Sequence, residues 1–97
     1  MIYGNIETKL TLHVFYVDFG VYRTALTAAQ ELAQAQSGME IKAWDVFSMT
    51  SEELNAHQIR AYPTLRLFRY GQFMGDTTSA FWDKSSLARW MGKLLGE

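Results

Sequence analysis

The sequence predicts an α/β domain with the element order β-α-β-α-β-β-α. The elements fit one mixed four-stranded sheet with helices on both faces. Three observations carry this reading. Lys9 to Val17 is a β-branched and aromatic run apolar on both faces. A helical pattern and a second strand pattern follow it with short connections. Leu65-Arg66-Leu67 then alternates and returns through the tight-turn pair Tyr70-Gly71. At 97 residues the chain holds one domain, core about 9–95. Its 48 % hydrophobic and 20 % charged content is that of a folded chain and not of a disordered tail.

In the first strand, Leu10, Leu12, Val14 and Tyr16 share one face, and His13, Phe15 and Val17 the other. A strand apolar on both faces belongs in the middle of a sheet. The first helix is predicted from Val21 to Gln36, with Tyr22, Ala25, Leu26, Ala29, Leu32 and Ala33 as its apolar stripe. Ser37-Gly38 ends it, because Gly38 can take a left-handed conformation. Met39 to Val46 is the second strand, and the strand-helix-strand order makes it parallel to the first.

Thr50-Ser51-Glu52-Glu53 is a capping box, so a short helix is expected from Ser51 to Gln58, with Leu54, His57 and Gln58 turned inward. Gln72 to Gly75 is the returning hairpin strand, and Asp76 opens a loop. The last helix is predicted over Lys84 to Leu95, with Asp83 as its N-cap and Leu87, Trp90, Met91, Leu94 and Leu95 inside.

Composition excludes several kinds of chemistry. There is no cysteine, so a disulfide scaffold, a thiolate-ligated metal and thiol catalysis are ruled out within this chain. A net charge of −1 argues against a dedicated nucleic-acid binder. Residues 1–7 lack the basic start and apolar stretch of a leader, and no apolar run is long enough for a membrane span. A cytoplasmic setting is the expectation. His13 and His57 have no clustered co-ligands, so no metal is expected. Glu52-Glu53 is explained by helix capping and dipole. No phosphate loop or dinucleotide fingerprint is present, and no cofactor is expected. Arg60, Arg66 and Arg69 read as a solvated set that protects the hairpin edge.

The segment Ile59 to Gly71, with Tyr62-Pro63-Thr64-Leu65 and its closing Gly turn, resembles the thioredoxin segment that carries a cis-proline. The likeness runs from about Leu10 to Leu95. It implies the thioredoxin fold and a cis bond before Pro63, the only proline. It also implies that the backbone of Tyr62 lines a peptide groove. Counted back from Gly38 without gaps, the family's Cys-Gly-Pro-Cys falls on Phe19-Gly20-Val21-Tyr22, where only the Gly is kept. Val17-Asp18-Phe19 also resembles the end of the family's central strand, a register that shortens the loop and still supplies no cysteine. Disulfide exchange needs a thiolate and a sulfur to attack. The resemblance is therefore to a member without redox activity. Trp44-Asp45-Val46 and Ala61 to Leu65 also resemble the KaiB clock-protein family, which works by binding partners. The hairpin Phe68 to Gly75 favours thioredoxin.

Two functions follow. The first is a non-catalytic protein-binding module. Its contact residues would be Phe19, Gly20, Val21 and Tyr22 on one side of the groove, Tyr62 and Pro63 on another, and Thr78, Ser79 and Trp82 on a third loop. Residue pattern alone also allows Phe19 and Tyr22 to pack into the core; it favours burial for Phe19 and leaves Tyr22 open. Thr78 and Ser79 also fit an ordinary polar loop. Phe81 and Trp82 cannot both point inward from a regular strand, so one of them is a contact candidate. The second function is a glutathione-transferase-like enzyme using Tyr16 or Tyr22, but that family usually adds a helical domain that 97 residues cannot hold. Binding is the preferred reading. A homodimer through Phe73 and Met74 on the hairpin edge, or through the aromatic groove, is a further expectation.

Overall fold

A computed structural model describes residues 9–96. The reading of residues 1–7 lies outside them. The elements are β1 (Leu10–Tyr16), α1 (Thr24–Ala35), β2 (Met39–Asp45), α2 (Ser51–Ala56), β3 (Thr64–Arg69), β4 (Gln72–Thr77) and α3 (Lys84–Leu95). One sheet holds all four strands in the order β2-β1-β3-β4. β1 pairs parallel with β2 and antiparallel with β3, and β4 returns antiparallel beside β3. The fold class expected from the sequence is the one observed.

β1 is central, and its two apolar faces feed two cores. Leu10, Leu12 and Val14 meet Ala25, Leu26, Ala29 and Leu32 of α1, Leu65 and Leu67 of β3, and Leu87 and Met91 of α3. On the opposite face Phe15 and Val17 join Val46, with Leu54 and Ile59 of the α2 region packed against them. Each fully buried side chain of this size stabilises the fold by about 1.5–3 kcal/mol relative to exposure.

The helix caps follow the sequence closely. At α2, the Thr50 hydroxyl accepts from the Glu53 amide at 3.1 Å, and the Glu53 carboxylate accepts from the Thr50 amide at 2.8 Å. At α3, Asp83 accepts from the Ser86 amide at 2.8 Å. Ionised Asp83 is held below its ordinary pKa, first by that backbone bond and then by the Ser86 hydroxyl.

Three boundaries differ from expectation by two residues or more. The first helix begins with a single 3-10 turn, Gly20–Arg23, before α1 proper. The Thr24 hydroxyl lies 2.7 Å from the Val21 carbonyl and 2.9 Å from that of Ala80, and accepts from the Trp82 amide at 3.1 Å. This hydroxyl ties the start of α1 to a loop over fifty residues away. α2 stops at Ala56, and Gln58 is exposed with a φ of +56°, so only Leu54 and His57 turn inward. β4 continues through Asp76 to Thr77, because Asp76 pairs with Arg66 across the ladder. Arg66 sits on an interior strand, not on an edge. Its guanidinium donates to the His57 and Gln58 carbonyls and lies 5.4 Å from the Phe15 ring centre.

The hairpin turn places Tyr70 and Gly71 at φ of +50° and +80°, the geometry of a two-residue β-turn. β4 is irregular beyond it. The register shifts between Leu67 and Phe68, and Gly75 has a φ of +153°. A Cβ at Gly75 would stand 2.7 Å from Cδ2 of Leu94, so a side chain there would make the Leu94 side chain shift where α3 packs on β4.

Candidate functional site

The C-terminal ends of β1 and β2 and the segment entering β3 converge at one end of the sheet. Each delivers an aromatic side chain there. Phe19 follows β1 in extended backbone, and Gly20 at φ +57° turns the chain into the 3-10 turn that carries Tyr22. Phe47 follows β2 on a second 3-10 turn, Val46–Ser48. Asp45 holds that turn: its carboxylate accepts from the Phe47 amide at 3.1 Å and from the Ser48 hydroxyl at 3.3 Å. Tyr62 precedes Pro63 across a cis peptide. Thr64 fixes the same loop by donating to the Ala61 carbonyl at 2.7 Å.

The four rings close on one another. Phe19 and Tyr22 meet edge to face at 5.5 Å, Tyr22 and Tyr62 at 5.1 Å, and Tyr62 and Phe47 at 5.4 Å. Phe47 returns to Phe19 at 6.1 Å. These are favourable separations for aromatic pairs. Yet the rings face water: Phe19 is 54 % exposed, Phe47 62 % and Tyr62 37 %. Tyr22 is half-buried and rests on the core of Phe15, Val17 and Val46. It anchors the patch to the sheet. Beside the patch, Arg23 and Asp18 pair with each other through their side chains.

The arrangement brings together four of the nine residues singled out from the sequence, Phe19, Gly20, Val21 and Tyr22, and sets Tyr62 and Pro63 against them. Phe19 does not pack into the core as the pattern alone favoured, because the Gly20 turn directs it outward. Pro63 is fully buried, so it shapes the loop and leaves contact to Tyr62. Thr78, Ser79 and Trp82 lie on the loop that closes over the start of α1. The Trp82 indole donates to the Ser79 carbonyl at 2.7 Å and packs edge to face on Trp90 at 5.9 Å. Of the pair, Phe81 is the outward residue, at 75 % exposed. Trp82 instead lines a cleft of about 270 Å³ with Gly20, Thr24, Thr27 and Ala28. Phe47 is the site residue that sequence reasoning missed. Its signal is Asp45 at a strand end followed by Ser48, a pattern that caps a tight turn.

No group of three or more His, Asp or Glu residues is placed to hold a metal among the described residues. No described helix is long and apolar enough to cross a membrane.

These features define a thioredoxin-like fold that carries no cysteine. Thioredoxins of known structure superpose on 90–92 % of the chain. A mutant thioredoxin from Halobacterium salinarum matches with a TM-score of 0.71 and 23 % identity, covering 90 % of this chain and 75 % of that one. Fasciola hepatica thioredoxin gives 0.70 and 18 %, over 90 % and 82 % of the two chains. The germline-specific thioredoxin Deadhead of Drosophila melanogaster gives 0.70 and 22 %, over 92 % and 84 %. At such identities the likeness is one of fold. No family model matches the sequence, and no curated protein does.

Proposed function

We propose that this chain is a non-catalytic protein-binding module whose contact surface is the patch of Phe19, Tyr22, Phe47 and Tyr62. The observation that carries the reading is the exposure of three of these rings while all four touch. Contiguous exposed aromatic surface is costly to leave in water, and aromatic anchors dominate the energetics of protein interfaces. Beside it Arg23 and Asp18 pair with each other, and the Asp45 carboxylate is taken up by the Phe47 amide and the Ser48 hydroxyl, so the partner surface is apolar at its centre. The partner is a protein and not a nucleic acid, in keeping with the net charge of −1. The setting of this reading is the cytoplasm.

The test places a photo-crosslinking amino acid at Phe47 in the native host. A discrete adduct is expected. It is expected to disappear when Tyr62→Ala or Phe19→Ser is added, with the unfolding midpoint unchanged. Adducts that persist unaltered through both substitutions reject the reading.

A further inference from the structure

We infer that two copies of this chain pair through the outer edge of β2, antiparallel, with Ile41 opposite its own copy. This inference is independent of the aromatic patch. β2 has seven residues, contains no proline, and no register shift interrupts its ladder to β1. Among the described residues its outer side has no strand partner. The other edge, β4, is broken by its register shift and by Gly75.

The hydrogen-bonding groups on that outer side can be identified. The Leu10 amide donates to the Gly38 carbonyl at 2.9 Å, and β1 pairs in parallel register from there. In a parallel ladder the groups of successive residues alternate in direction. Glu40, Lys42 and Trp44 therefore turn their backbone groups toward β1. Met39, Ile41 and Ala43 turn theirs outward, where a second strand could take them.

Charge then selects the register. With Ile41 opposite its copy, Glu40 faces Lys42 of the second copy, and Lys42 faces its Glu40. Both side chains are exposed and neither has an ion pair among the described residues. A shift of two residues one way sets Lys42 against Lys42; the other way sets Glu40 against Glu40. Directly opposed like charges destabilise a ladder, and opposite charges support it. Over residues 39–43 the other face of the same register is apolar. It joins Ile41 to Ile41 and Met39 to Ala43, continuing the layer where Met39 and Ile41 already pack on the core. An edge left so regular is a template for pairing.

The experiment measures mass in solution against concentration for the whole chain and its charge variants. The wild type is expected to rise from 11.1 kDa toward twice that value. Glu40→Lys alone and Lys42→Glu alone each create two like-charge pairs, and each should weaken association by roughly tenfold or more. Mixing these two variants should restore association, because each then faces the opposite charge. The double variant E40K/K42E should pair with itself like the wild type. Circular dichroism controls for folding. A wild type that stays at 11.1 kDa up to about 1 mM overturns the inference. So does a dimer that either single variant leaves intact, or variants that fail to associate on mixing.

Discussion

Two groups of aromatic rings lie on this small sheet, and they differ in what holds them and in what covers them. On the sheet face opposite α1 and α3, Trp44 stacks on Phe15 at 4.5 Å, and His57 approaches both at 5.2 Å. His13 joins them through Trp44 at 5.2 Å and through Phe68 at 4.5 Å. At the sheet end, Phe19, Tyr22, Phe47 and Tyr62 meet at much the same separations. The first group is held by strand register and covered by α2, so Phe15 is fully buried. The second is held by turns and left open. Ring contact is thus no measure of core membership. What covers the rings decides whether they belong to the core.

Substitution separates the two groups. Phe15→Ala should cost about 3–5 kcal/mol, because it empties a packed site that the sheet cannot close. Phe47→Ala should stay within about 0.5 kcal/mol, as expected for an exposed residue. Urea unfolding of both variants checks the contrast, and equal losses would erase it. Asp45→Ala stands between them. It removes the acceptor of the Phe47 amide and should cost about 1 kcal/mol, in the range of a lost cap. It should also loosen Phe47, so that crosslinking from that position falls more than stability does.

The groups should also differ in their response to acid. His13 is held below its ordinary pKa of 6.5, chiefly by burial, and further by Lys42, His57 and Arg66, against a smaller opposing effect of Glu40. Its neutral form is favoured in the folded chain. The resulting stability is complete above pH 6.5, declines as pH falls from there toward the folded value, and is lost below it. Urea midpoints from about pH 7.5 to 5 should drop in the wild type and flatten in His13→Asn. The smallest effect expected is on catalysis. Tyr22→Phe should change no turnover of glutathione with electrophiles, because the proposed role of Tyr22 is contact. Activity lost with that hydroxyl would turn the patch into an active site.

Much of the fold was legible because its causes are local. The two-sided run around Val14 marks a central strand, and Thr50 and Glu53 mark a helix start. Asp83 announces α3, and the match to a thioredoxin segment rests on residues near Pro63. The site was legible only in part, because its causes are distant. Phe19 looks like core until the turn at Gly20 is seen in three dimensions. Phe47 carries no assignment just past the strand until Asp45 is seen to cap its amide. The delayed start of α1 depends on Ala80 and Trp82, which no window around Thr24 contains. Arg66 reads as an edge charge until the hairpin places β4 outside it.

The irregularity of β4 also bears on stoichiometry. A sheet with two regular edges can add copies at both and grow without limit. Here the register shift makes the β4 edge irregular, while the β2 ladder is uninterrupted. A contact that uses the same strand from both copies is closed by its own symmetry. If β2 pairs as inferred, growth should terminate at two, with the β4 irregularity limiting further addition.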